Sequence, residues 1–198
     1  MFSQEDFFAL IQIENFRRPG RPAYLSYRSR AAAVLAYCAG LWFPEIMALR
    51  REHWMPNGGA CLIIDANAEH ARRRIPASPA TQWAVQRFLA ERPAAVANND
   101  LLFDCEGGLP LKQEITNAIG KSPLSRGVRP GSGELRASFE EAILRSYRDS
   151  PLAFYLIGAA APAHLPPVLD DPPLDDLHRL LRKSGHLYVD REELWKTR

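Results

Sequence analysis

At 198 residues with a formal net charge of +2, 46% hydrophobic and 24% charged residues, the chain has the balance of one globular domain with at most an appendage. No run of eighteen apolar residues occurs, so no membrane-spanning helix is expected. The acidic start, MFSQEDFF, has no signal-peptide layout, and a cytoplasmic protein follows by default. Cys38, Cys61 and Cys105 are far apart and form no C-x-x-C pair, which argues against a zinc ribbon or a disulfide framework. His53, His70, His164, His178 and His186 lack metal-ligand spacing, so neither a metal nor a cofactor is expected.

Ser3 is placed to cap a helix with Glu5 and Asp6 in its first turn. Phe7, Phe8, Leu10 and Ile11 give that helix an apolar stripe reaching about Ile13. Residues 17–27 read as a basic loop around Pro19, Gly20 and Pro22. From Arg28 to Trp54 the pattern predicts two helices meeting at a tight turn. The first carries Ala32, Val34, Leu35 and Tyr37, a run long enough to be buried on most faces. Gly40 suits the residue past its end, because glycine enters the left-handed region without steric cost. Pro44 suits the first turn of the next helix, and Glu45 beside it faces the positive end of the helix dipole.

Pro56-Asn57-Gly58-Gly59 is a turn, and residues 61–65 and 73–77 predict the two strands of a hairpin. A helix follows over 79–91, an extended apolar piece over 98–105, a turn over 107–110 and a helix over 111–119. Residues 121–133 form a loop with Arg126 and Arg129 in a Ser/Gly/Pro-rich context. Leu135, Phe139, Ala142 and Ile143 then recur at helical spacing. Arg136 is offset from their stripe by one residue and lies near the helix start, where backbone N–H groups favour an anion. Residues 152–158 predict another apolar helix. Pro162, Pro166, Pro167, Pro172 and Pro173 make a semi-rigid extended spacer. Leu174, Leu177, Leu180 and Leu181 mark one face of an amphipathic helix, with a last turn or two over 189–196.

These elements predict a mainly α fold with a small antiparallel hairpin or sheet. The expected organisation is a domain over 1–160, a Pro-rich spacer over 161–173 and a C-terminal amphipathic helix over 174–198. Arginine outnumbers lysine and clusters at Arg50 and Arg51, at Arg72, Arg73 and Arg74, and at Arg126 and Arg129. Guanidinium forks match phosphate oxygens, so these clusters and Arg136 are the candidate phosphate contacts. The apolar face in 174–198 needs a partner, which predicts self-association or a hetero-complex through that segment, or else a helix folded back on its own domain.

The order and spacing of these motifs, over residues 3 to about 160, resemble the catalytic domain of the tyrosine recombinases, the phage integrase family. Gly40-Leu41 with Glu45 and Leu49 fits the opening motif of that family. Ile75-Pro76 fits the end of its hairpin, Leu102-Phe103 with Gly108-Leu109-Pro110 its turn, and Leu135-Arg136 its second arginine motif. Residues 152–158 fit the helix that ends before its last histidine. The resemblance implies a DNA-binding surface, which makes the candidate phosphate contacts candidate DNA contacts, and a chemistry in which a tyrosine attacks a phosphodiester while two arginines, a lysine and histidines assist. The implied positions are largely lost. Trp42 stands for the first arginine, Ala68 is near the lysine, Gly133 and Ala159 stand for histidines, and Val168 is near the tyrosine. Ala137 stands where a second histidine is frequent. Arg136 alone survives, so no catalytic set is expected.

On this resemblance a domain of the catalytic type alone is expected, without the separate clamping domain of the family. The resulting expectation is a pseudoenzyme, a DNA-binding accessory or regulatory factor in DNA recombination, integration or transcription, of mobile-element type. The alternative is a protein-interaction module that binds an active recombinase or self-associates without DNA. A third reading, an active recombinase with a displaced nucleophile, would need Tyr155 or Tyr188.

Overall fold

A computed structural model describes residues 2–57, 59–66, 71–94, 100–103, 110–124, 130–167 and 171–184. Helix α3, Ala23–Cys38, is its axis. From Arg28 to Cys38 every residue of this helix is buried, because other elements surround it. The short α1 (Gln4–Leu10) and α2 (Ile13–Phe16) lead into it, and α4 (Phe43–Ala48) leaves it. Helices α5 (Pro79–Glu91), α6 (Leu111–Lys121) and α7 (Glu134–Tyr147) pack on its flanks. Helix α3 starts at Ala23, directly after Pro22, so the basic loop expected to reach residue 27 is shorter than predicted. Proline at the entry fixes φ and gives up an N–H that the first turn does not use.

Ser3 caps α1 as the sequence predicts, accepting a hydrogen bond from the Asp6 N–H at 3.0 Å. Phe7 stacks on Tyr37 with ring centroids 3.9 Å apart, which ties α1 to the end of α3. The Phe2 N–H donates to the Ser138 hydroxyl at 2.9 Å and ties the same end to α7. At the α3 terminus Gly40 has φ +65° and lies against the Phe139 ring. A Cβ there would sit 2.3 Å from that ring, so both the backbone and the packing demand glycine.

The sheet is antiparallel with order β1-β2-β3, formed by Trp54–Met55, Cys61–Ile64 and Arg73–Pro76. Its register pairs Leu62 with Ile75 and Ile64 with Arg73, the hairpin expected from the sequence. The extended piece near residue 101 makes only an isolated bridge between Leu101 and Arg50. Helix α8 (Pro151–Ile157) and helix α9 (Leu174–Lys183) lie on β3. Leu177, Leu180 and Leu181 are buried there. Of the two coverings the sequence allowed, the structure shows the one in cis: the apolar face lies on the chain's own β3 and α8. The spacer is also anchored at its end. Arg74 pairs with Asp171 at 2.5 Å and donates to the Pro172 carbonyl at 3.0 Å.

A polar network holds α6 to α3. The Glu114 carboxylate accepts from Arg28 at 2.8 Å, from the Ser29 hydroxyl and from Arg21. Burial alone would raise its pKa, but the Ser29 bond and the Arg28 charge outweigh it and leave the carboxyl below its ordinary range. Arg30, also on α3, lies 4.4 Å from the ring centre of Trp83 on α5. No described helix is long and apolar enough to cross a membrane.

Two outcomes are expected. Gly40→Ala should lower unfolding free energy by about 2–4 kcal/mol in a denaturant titration, combining left-handed strain with overpacking. Gly20→Ala, at φ +73° with open space around it, carries the strain alone and should cost less. The depressed pKa of Glu114 contributes stability that is fully present above the ordinary carboxyl value, about pH 4.3. That contribution is lost as pH falls through the lower folded value. Glu114→Gln should therefore flatten the acid limb of melting temperature against pH, relative to the wild type.

Candidate functional site

The turn at Gly40 delivers Leu41 and Trp42 to the start of α4. The Trp42 N–H donates to the Glu45 carboxylate at 2.9 Å, so Glu45 closes the first turn of its own helix. The same carboxylate is buried and faces Arg73 of β3. One guanidinium nitrogen lies 2.8 Å from Oε1, and another donates to Oε2 at 3.1 Å. Arg73 is buried beneath Gly158, whose φ is +70°. A Cβ on Gly158 would sit 2.8 Å from the Arg73 guanidinium carbon, so glycine lets the end of α8 close over the ion pair.

Arg136 occupies the first turn of α7 beside this pair. Its Nη2 donates to the Ile157 carbonyl at 2.7 Å, and its Nη1 pairs with Glu140 one turn along. Its guanidinium carbon lies 3.9 Å from the centre of the Trp42 ring. The side chain is only 4% exposed, and Nε has no hydrogen-bond partner. Burial pulls its pKa down to about 10. Attraction to Glu45 opposes that shift, and repulsion from Arg73 adds to it. Arg136 is still a cation at neutral pH.

The other candidates divide sharply. Arg50, Arg51 and Arg72 are exposed. Arg74 is half-buried and held by Asp171. Arg73, expected as a DNA contact at the start of the second strand, instead points inward, because it shares a strand face with buried Ile75 and meets Glu45. Gly133 is exposed at the start of α7, with open space where a side chain would be. Ala159 is exposed just past α8, and its N–H donates to the Phe154 carbonyl at 3.0 Å. The Tyr155 hydroxyl accepts from the Arg74 N–H at 2.7 Å, which commits it to the strand. Ala68, Arg126, Arg129, Val168 and Tyr188 lie outside the described residues. Among the described residues no cluster of side chains suits a metal ion.

Four features of the site go beyond what the sequence assigns. The sequence places Glu45 at the helix dipole and in the opening motif, whereas its main partner in the structure is Arg73. The Arg136–Glu140 pair was legible as an i,i+4 spacing. The alternation of Arg73 with Ile75 along a strand was the available signal for its burial. The stacking of Trp42 on Arg136 had no local signal, because the two lie on different helices.

Removing Arg73 leaves Glu45 buried without its partner. Arg73→Ala is expected to cost about 3–5 kcal/mol in unfolding free energy. Adding Glu45→Gln should recover part of that loss. Arg72→Ala, one residue away but exposed, should stay within about 0.5 kcal/mol of the wild type. Equal losses for Arg72→Ala and Arg73→Ala would contradict this division.

No family model matches the chain. A curated relative, the tyrosine recombinase XerC of Methylobacterium sp. (strain 4-46), is 29% identical over 144 residues, covering 71% of this chain and 45% of that protein. The XerH site-specific recombinase, solved bound to its difH substrate in a pre-cleavage complex, superposes with a TM-score of 0.58 at 20% identity. That match covers 90% of this chain and 48% of XerH. The XerA recombinase gives a TM-score of 0.62 at 14% identity, covering 98% of this chain and 62% of XerA. The chain thus spans about half the length of the curated relative it matches. The mainly helical fold with its three-stranded antiparallel sheet, the motif order and these likenesses converge: the chain carries a tyrosine-recombinase-like domain.

Proposed function

We propose that the chain is a DNA-binding, non-cleaving member of a recombination or integration system, acting as an accessory or regulatory factor. The observation that carries this reading is the Trp42 indole stacked on Arg136. Where the resemblance calls for a second guanidinium, an uncharged ring covers the surviving one. Phosphodiester cleavage by a tyrosine needs an activated nucleophile together with neutralisation of the developing charge. Gly133 and Ala159 have no proton to move, and Tyr155 is engaged with β3. DNA binding is supported by the exposed Arg50, Arg51 and Arg72, and by the substrate-bound state of XerH, which shares the fold. Arg126 and Arg129 add to the basic surface on sequence grounds.

A second reading, an interaction module without useful DNA affinity, is favoured by a different observation. Arg73 and Arg74 are consumed by internal partners, Glu45 and Asp171. The cationic surface is accordingly smaller than the arginine clusters suggest.

Mobility shifts across a salt series separate the two. Binding to DNA should fall with a slope of roughly −0.9 in log K against log salt for each phosphate contacted. The triple change Arg50→Ala, Arg51→Ala and Arg72→Ala should flatten that slope and weaken all sequences alike. A nicked suicide duplex should yield no covalent adduct. Recovery of a protein–DNA adduct would overturn the non-cleaving assignment, and absence of binding at low salt would favour the interaction module.

A further inference from the structure

We infer that Trp42 is a lid over Arg136, and that swinging the indole aside opens a closed site for a phosphate-type oxyanion. The inference rests on the reading of this domain as phosphate-contacting and adds a regulatory contact to it.

The floor and the cover of the site differ in how firmly they are held. Beneath Arg136 lie the Ile157 carbonyl at the end of α8 and the buried Arg73–Glu45 pair, all fixed by packing. Above it lie two side chains that reach solvent. Trp42 is 43% exposed; its backbone N–H donates to Glu45, while its ring is held by the contact with Arg136. The Glu140 side chain is 34% exposed. Both can rotate outward without disturbing the core.

The guanidinium itself carries the sign of an unmet ligand. Nε is buried and has no hydrogen-bond partner. A buried donor without an acceptor is costly, and a charged one more so. The indole face attracts the cation but accepts no hydrogen bond along the guanidinium edge. An oxyanion admitted where the indole lies would supply the acceptor that Nε lacks, and an oxygen taking the place of the Glu140 carboxylate would sit on Nη1, at the other side of the fork. Trp42 and Glu140 therefore act as internal competitors for Arg136, one for its face and one for its edge. The closed state keeps a cation from attracting phosphates indiscriminately.

Calorimetric titration of the full chain with inorganic phosphate tests this without DNA. The wild type should bind weakly. Trp42→Ala should bind about tenfold more tightly, the order expected for release of a desolvated cation–π contact. Glu140→Gln, which keeps the indole and the helix, should also gain and covers the case in which Trp42→Ala fails to fold. Adding Arg136→Gln to either variant should abolish the gain. No gain in either variant, or a gain that survives Arg136→Gln, overturns the lid. Repeating the titration with a short duplex identifies the source of the anion. A parallel gain assigns the DNA backbone, and a gain on phosphate alone assigns a free phosphate. Failure of the lid leaves wild-type DNA binding through Arg50, Arg51 and Arg72 as a separate result, so the two readings can fall independently.

Discussion

A carboxylate and a guanidinium withdrawn from water hold the working end of this domain together. Glu45 and Arg73 come from a helix start and a strand, and each would be expensive to bury alone. Their bidentate approach, at 2.8 and 3.1 Å, makes the two elements mutually dependent. Glu45 also takes the Trp42 N–H, which sets the entry of α4 and the position of the indole. Gly158 closes over Arg73, and that closure places the Ile157 carbonyl where Arg136 can reach it. Trp42, Arg136 and the end of α8 are thus positioned through one ion pair. Such a pair adds little net stability over an apolar filling, but breaking it strands a charge, so its value is positional.

Seen from that pair, the arginines of this chain serve two purposes. Arg28, Arg30, Arg73 and Arg136 are buried and join helices or strands through carboxylates, aromatic faces and carbonyls. Arg50, Arg51 and Arg72 remain in solvent. A planar, weakly hydrated guanidinium with five donors suits the first purpose better than lysine does. The same property makes a count of arginines a poor measure of a DNA-binding surface. Clustering in sequence does not imply clustering on one face, as Arg72, Arg73 and Arg74 show by pointing outward, inward and toward α9.

The elements were legible because their signals are local. Ser3, Gly40 and Pro44 mark starts and stops through capping and φ, and the hairpin follows from strand length and a polar connection. The order of motifs was enough to expose the recombinase-like frame. What stayed hidden depends on contacts between distant segments. The burial of Arg28 was invisible, because its partner Glu114 is 86 residues away. The cover of the 174–181 leucines was equally hidden, since an amphipathic stripe says that a partner exists but not which surface it is. The start of α3 was misplaced because basic residues around Pro19 and Gly20 read as loop beyond the point where Pro22 already commits the backbone.

The position of Trp42 links these points. The resemblance implies an arginine where Trp42 stands, and an uncharged residue there would ordinarily leave its neighbour, Arg136, facing water with one fewer competitor for an anion. Here the ring lies flat on that neighbour, and Glu140 takes its edge. The site is therefore filled from within the chain, by a hydrophobic group that can leave and a carboxylate that can turn away. A 43% exposed indole and a part-exposed carboxylate are the two groups whose movement the proposed lid requires, while the buried Glu45–Arg73 pair next to Arg136 stays fixed.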